Sequence, residues 1–215
     1  MLSESDLFFL KFEMCIVIDS IYLKLSEENI NPYQNDIENS ISFFIKCIKN
    51  NPCNSIYECE AEKEIKKYFL TKNYEEKDAK SVLDVLRYDF CSFARGGLRS
   101  LYLNQEKQNW SPQIIINRII EPNSIDALPE NIVLYRGTSY SEFKLKNYGQ
   151  SWTTNIKTAN EFAYIHYQNQ PWFDKKNRVV LKTSYSKSEV FYASDSYEYE
   201  VVINTETIKE VELVT

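Results

Sequence analysis

Glycine and histidine are scarce in this chain of 215 residues, which holds four glycines and one histidine, His166. Neither G-x-G-x-x-G nor G-x-x-x-x-G-K occurs in it, which excludes the two common glycine-rich loops that bind nucleotide phosphates. A nucleotide site would therefore depend on side chains, chiefly an arginine. A single histidine also predicts no metal site and no Ser–His–acid or Cys–His catalytic centre.

The chain also has no excess of basic residues. It contains 25 Lys and Arg and 31 Asp and Glu, which gives a net charge of −6. This balance gives no support to non-specific nucleic-acid binding. The five cysteines are odd in number and follow no disulfide framework, which predicts reduced thiols and a cytoplasmic protein. Charged residues interrupt the apolar segment 7–25, so no membrane span is predicted.

Hydrophobic spacing divides the chain into a helical accessory region, residues 1–114, and a strand-rich region, residues 115–215. Five helices are predicted, four in the first region and a fifth that crosses its end: 7–21, 36–49, 56–70, 75–102 and 112–120. A break is expected in the fourth helix at Gly96-Gly97. Six strands and one helix, 158–167, are predicted in the second region; the strands are 132–135, 149–154, 178–183, 190–193, 200–204 and 210–214. The fold class is therefore α+β.

Three short motifs follow one another in the second region, and each lies beside a predicted strand. They are Tyr135-Arg136-Gly137, Ser151-Trp152-Thr153-Thr154 and Glu198-Tyr199-Glu200. An arginine can hold phosphates through its planar fork of N–H groups. A carboxylate can stabilise the positive charge that develops on a sugar when a glycosidic bond breaks. On an extended chain Glu198 and Glu200 would point to the same face.

In this order the motifs resemble those of the ADP-ribosyltransferases of the arginine–serine–glutamate class, to which the bacterial mono-ADP-ribosylating toxins belong. The run Thr158–Ala163 and the residues Ala127–Glu130 before the first strand fit the same pattern. The resemblance covers about residues 115–215 and implies a compact β-rich core of two sheets with NAD as co-substrate. It does not cover residues 1–114.

The resemblance implies a role for each matching residue. Arg136 and Gly137 would bind NAD, Ser151 would contact the nicotinamide ribose and the catalytic glutamate, and Glu200 would be catalytic. Glu198 would engage the acceptor, and a glutamate there goes with arginine acceptors in many toxins. The remaining expected contacts are these: Thr153, Trp172 and Phe173 to NAD, and Tyr197 and Tyr199 to the target. Trp152 should pack in the core, since it alternates with Ser151.

The function that these expectations describe is transfer of ADP-ribose from NAD to a macromolecule, foremost an arginine of a protein. It suggests a bacterial or phage toxin or effector that acts in a cytoplasm, its own or that of a target cell. Residues 1–114 would position the target, shield the site or bind an antitoxin or regulatory protein. Three alternatives stay open. The acceptor could be RNA or DNA, as for a toxin–antitoxin or phage-defence toxin, or it could be water, which would make the protein a NAD glycohydrolase. The third alternative is a binding module without catalysis.

Overall fold

The computed structural model describes residues 1–52, 59–104, 110–196 and 198–214. The chain divides into two compact units, Met1–Ile115 and Ile116–Thr215. The first unit is helical, and the second contains all the strands of the described residues. The mixed composition, with helices first and strands later, confirms the α+β expectation at this level.

The described residues of the first unit form five α-helices: α1 (Glu4–Phe8), α2 (Ile18–Leu25), α3 (Gln34–Asn50), α4 (Glu60–Leu70) and α5 (Lys77–Leu103). Helices α3, α4 and α5 each bury one apolar face, as their spacing predicts. Phe44 of α3 lies against Phe90 of α5, with ring centroids 5.4 Å apart, and both side chains are fully buried. These helices enclose the core of the first unit.

Two predicted helices of the first region are wrong. The segment 7–21 is not one helix, because a π-helical turn, Phe9–Glu13, follows α1 and Cys15 then adopts φ 54°. Its apolar positions are nevertheless mostly buried, so the pattern identified the core but not the break. The segment 112–120 contains no helix, and Ile114 forms an isolated β-bridge with Ile16. The predicted interruption at Gly96-Gly97 is confirmed, since both glycines have non-helical dihedrals within α5.

The second unit holds a six-stranded antiparallel sheet. Its strands are β1 (Asn131–Ser139), β2 (Ser151–Thr153), β3 (Arg178–Ser186), β4 (Val190–Ala193), β5 (Glu200–Ile203) and β6 (Glu212–Leu213). Their order across the sheet is β4-β5-β2-β1-β3-β6. All six strands were predicted, with ends that differ by a few residues. The two-sheet core is not confirmed, because β2 bonds to β1 on one edge and to β5 on the other, which links the described strands into one sheet.

Two helices complete the second unit: α6 (Tyr140–Leu145) directly after β1, and α7 (Ile156–Tyr164) directly after β2. Helix α7 packs through Ala159 and Ala163 on one face of the sheet, against Val180. The other face carries the main core of the unit, with Leu134, Trp152 and other apolar residues. Trp152 is 2% exposed, which confirms its expected place in the core.

Candidate functional site

Ser151 and Glu200 form a hydrogen-bonded pair on neighbouring strands. The Ser151 hydroxyl Oγ lies 2.6 Å from the Glu200 carboxylate Oε1 and donates to it. In the β2–β5 pairing Thr153 lies opposite Glu200, so Ser151, two residues before Thr153, faces the same side of the sheet. Both side chains are partly exposed. Solvent and a ligand can therefore reach a carboxylate whose orientation a serine fixes.

Thr153, beside this pair, is buried and bonds to backbone groups of neighbouring segments. It is 5% exposed, and its hydroxyl donates to the Glu198 carbonyl oxygen at 2.8 Å and accepts from the Asn155 amide at 3.0 Å. The Thr154 amide adds a bond of 3.3 Å to the Tyr199 carbonyl. The hydroxyl of Thr153 thus links the segment before β5 to β2, and its expected contact to NAD stays a prediction.

The expectation that Glu198 and Glu200 share one face of an extended strand is wrong. Strand β5 begins at Glu200, and Tyr199 before it has φ 48°, a left-handed conformation that ends the alternation. Glu198 therefore lies on an exposed turn next to the strand. Tyr199, which was expected to contact a target, is 44% exposed on the same turn. Tyr197 lies outside the described residues.

Arg136 lies behind the Ser151–Glu200 pair rather than beside it. It alternates with Tyr135 along β1 and so belongs to the face of Leu134, away from α7. Its guanidinium donates through Nη1 to the Ser151 carbonyl at 2.6 Å. Its Nε and Nη2 donate to Glu142 at 2.6 and 3.2 Å. Three of its five N–H groups are therefore bound inside the unit.

Glu142, on α6, is the residue of this site that carries no sequence motif. Its side chain is 16% exposed, and its carboxylate accepts hydrogen bonds from Arg136, from the Thr138 hydroxyl and from the Gly149 amide. Burial acts to raise the pKa of Glu142, but the hydrogen bonds and charge of Arg136 outweigh it and hold the pKa below its ordinary value. Sequence analysis did not identify Glu142, although Ser139 followed three residues later by Glu142 is the pattern of a helix start and could have indicated it.

Gly137 is closely packed against α7, and its expected contact to NAD stays a prediction. A Cβ atom at this position would lie 2.1 Å from the carbonyl oxygen of Ala159 and 2.5 Å from the amide nitrogen of Ala163. Helix α7 thus occupies the space over Gly137. Gly149 is constrained in a different way, since a Cβ there would lie 2.4 Å from Nη2 of Arg136.

Trp172 and Phe173 lie on the segment between α7 and β3. The Trp172 side chain is 53% exposed and packs on Tyr167, with ring centroids 5.2 Å apart. Phe173 is partly buried, and its amide donates to the Gln170 carbonyl. The structure gives neither residue a hydrogen bond or ring contact to the Ser151–Glu200 pair, so their expected contact to NAD stays a prediction. His166 stands at the end of α7 between the rings of Phe162 and Tyr167.

Four cysteines of the described residues are buried and form no disulfide: Cys15, Cys47, Cys59 and Cys91. Burial, with Glu64 adding to it, raises the pKa of Cys47 to about 12, and burial raises that of Cys91 to about 11. These thiols stay protonated at neutral pH and have little nucleophilic character. Within the described ranges, no group of three or more His, Cys, Asp or Glu is arranged to hold a metal ion.

No protein-family model matches the chain, and no curated protein and no solved structure matches it either. None of the helices in the described part of the chain combines the length and the apolar composition that a membrane span requires. The candidate site is therefore defined by its geometry and by the motifs that the sequence carries.

Proposed function

We propose that the second unit is an NAD-dependent mono-ADP-ribosyltransferase with Glu200 as its catalytic residue. The observation that carries the proposal is the Ser151–Glu200 hydrogen bond of 2.6 Å, formed by the serine and the glutamate of two motifs that lie 49 residues apart. A glutamate fixed in this way on a partly exposed strand end suits a reaction in which a sugar becomes positively charged. The mixed fold and the order of the motifs support the same class.

In the proposed reaction the bond between the ribose C1 atom and the nicotinamide nitrogen breaks, and its electron pair leaves with nicotinamide. A nucleophilic atom of the acceptor forms the new bond to C1 and loses a proton. The Glu200 carboxylate would stabilise the positive charge that builds up on the ribose and accept a hydrogen bond from a ribose hydroxyl. Ser151 would hold that carboxylate in place, since its hydroxyl donates to Oε1.

The proposed acceptor is a macromolecule, first of all an arginine side chain of a protein. Glu198 would engage it, because it lies on an exposed turn that a large partner can reach, one residue from the exposed ring of Tyr199. Arg136 would support the pair from the opposite face of the sheet, where it donates to the Ser151 carbonyl; its expected contact to NAD stays a prediction. The proposed setting is the cytoplasm of a producing or a target cell, with an antitoxin or regulatory protein as a candidate partner of the first unit.

The test uses NAD that is labelled in its adenosine half, incubated with cell lysate that is afterwards separated into protein, nucleic acid and small molecules. Wild type is compared with Glu200→Gln and with Glu206→Gln, a matched change at an exposed glutamate. Label that enters protein with wild type and Glu206→Gln, but not with Glu200→Gln, supports the proposal.

Each other outcome replaces one part of the proposal. Label in RNA or DNA keeps the reaction and replaces the acceptor, and free ADP-ribose as the sole labelled product indicates a glycohydrolase. Equal turnover by wild type and a folded Glu200→Gln protein would refute the catalytic role of Glu200. No turnover by any of the three proteins, with purified NAD or with lysate, would favour a binding module.

A further inference from the structure

We infer that Glu142 is a positioning residue for the Ser151–Glu200 pair and that it acts through Arg136. The inference deepens the proposed function and rests on it for the catalytic meaning of the pair. Glu142 touches neither Ser151 nor Glu200 through any hydrogen bond of the site; its link to them runs through the guanidinium of Arg136.

The carboxylate of Glu142 is saturated with donors. Oε1 accepts from Arg136 Nε at 2.6 Å and from the Gly149 amide at 3.0 Å. Oε2 accepts from Arg136 Nη2 at 3.2 Å and from the Thr138 hydroxyl. Each oxygen thus has two donors, which come from β1 and from the residue two positions before β2. A carboxylate used in this way orders side chains and does not act as an acid or base.

The planar guanidinium of Arg136 connects Glu142 to strand β2. Two parallel N–H···O bonds to one carboxylate fix both the position and the plane of an arginine. When Nε and Nη2 of Arg136 are held by Glu142, Nη1 is fixed as well, and it donates to the Ser151 carbonyl at 2.6 Å. That carbonyl belongs to the residue whose hydroxyl orients Glu200. The chain of contacts is therefore Glu142, Arg136, Ser151 and Glu200.

The loop before β2 packs closely against the Arg136 guanidinium and bonds to Glu142. A side chain at Gly149 would collide with Nη2 of Arg136, at 2.4 Å from its Cβ. The carbonyl of Gly149 accepts from Trp152 Nε1 at 2.9 Å, which anchors the loop to the buried indole. Glu142 thus holds Gly149 by its amide and Ser151 by way of Arg136, and so sets the path of the chain on both sides of Gln150.

Loss of Glu142 should have different effects on kcat depending on whether the Glu142–Arg136 ion pair only stabilises the fold or also positions Ser151 and Glu200. At 16% and 21% exposure the two side chains are mostly removed from water, and such a pair adds little net stability compared with apolar residues. If Glu142 serves stability alone, its loss lowers the melting temperature and leaves turnover per folded molecule unchanged. If it positions the pair, its loss lowers kcat and does so only while Arg136 is present.

The kinetic experiment compares NAD cleavage by wild type, Glu142→Gln, Arg136→Ala and the double variant, with Glu206→Gln as the control. We expect Glu142→Gln to lower kcat about tenfold with a change in KM of less than about threefold. The double variant should lose no more than Arg136→Ala alone, because both changes break one chain of contacts. Additive losses, or an unchanged kcat in folded Glu142→Gln, would overturn the inference.

A second measurement does not depend on turnover and separates this inference from the proposed function. Amide spectra of ¹⁵N-labelled protein should show shifts at Ser151, Trp152 and Glu200 in Glu142→Gln, with a similar pattern in Arg136→Ala. Shifts confined to α6 and Gly149 would overturn the inference even if the enzyme is active. An inactive wild type that shows the shared pattern would refute the proposed function and leave the positioning role of Glu142 supported.

Discussion

The hydroxyl of Ser151 donates a 2.6 Å hydrogen bond to the carboxylate of Glu200, although 49 residues separate them in sequence. The contact arises because β2 pairs antiparallel with β5, which puts Thr153 opposite Glu200 and Ser151 on the same face. It defines the two residues on which the proposed chemistry depends.

Replacing Ser151 by alanine should lower kcat for NAD cleavage about tenfold. The change removes the donor that orients Glu200, and a tenfold loss corresponds to about 1.4 kcal/mol, the size of one good hydrogen bond. Initial rates at saturating NAD measure it. Ser141→Ala, a change at an exposed serine on α6, is the control and should retain full activity. A Ser151→Ala protein that equals wild type would show that Glu200 needs no such partner.

Replacing Glu198 by glutamine should reduce transfer to a macromolecule more than it reduces NAD hydrolysis. Glu198 lies on an exposed turn outside β5, so its loss leaves the Ser151–Glu200 pair intact. We expect at least about a tenfold loss of label in the acceptor, with free ADP-ribose formation changed less than about threefold. The two products are measured in one reaction. Equal losses in both would remove the acceptor role of Glu198.

Replacing Gly137 by alanine should destabilise the fold by about 2–3 kcal/mol. The added Cβ would lie 2.1 Å from the Ala159 carbonyl oxygen, which belongs to the backbone of α7 and cannot rotate away. Overpacking of this kind typically costs 1–3 kcal/mol. Unfolding in urea, followed by circular dichroism, measures the loss. An unchanged midpoint would mean that α7 does not pack on Gly137 as the structure indicates.

The stability difference between wild type and Glu142→Gln should depend on pH. The folded state holds the pKa of Glu142 below its ordinary value, whereas the unfolded chain restores it to about 4.3. The ionised form therefore contributes its full stability above about pH 5, and the contribution is lost as the pH falls through the folded pKa.

We expect a difference of about 2 kcal/mol at pH 7, because a charged acceptor of several hydrogen bonds is lost in a mostly buried place. Urea unfolding of both proteins at pH 7 and at successively lower pH tests it. Other carboxylates titrate in both proteins and cancel in the comparison. A difference that stays constant or grows toward acid pH would contradict the lowered pKa.

The buried thiols should resist modification until the protein unfolds. Cys47 and Cys91 have pKa values raised to about 12 and about 11, so their thiolate fraction at pH 8 is far below one per cent. A Cys53→Ser variant removes the cysteine that lies outside the described residues. Native Cys53→Ser protein should take up almost no thiol reagent at pH 8, and four equivalents should react in denaturant. Fast labelling of native protein would show that these thiols are accessible.

The amino-acid sequence by itself determined the strands of the second unit, one of its two α-helices and the order of the motifs, whereas α6 was not predicted. Strands such as β3 and β4 follow from short apolar runs, and the interruption of α5 follows from two adjacent glycines. Trp152 could be placed in the core because side chains alternate along a strand. Each of these inferences depends on neighbours in sequence, where periodicity and backbone preference act directly.

The tertiary structure alone decided how the site is assembled. Glu198 lies outside β5 because Tyr199 has a left-handed backbone conformation. Helix α7 packs over Gly137, and Arg136 forms an ion pair with Glu142. The tertiary structure also left 112–120 without a helix, although an apolar pattern favoured one. Such outcomes depend on which groups meet across the sheet and on whether each buried polar group finds a partner. Spacing along the sequence contains neither kind of information. The Ser151–Glu200 pair was therefore a hypothesis from the sequence, and the fold places the two side chains in hydrogen-bond contact.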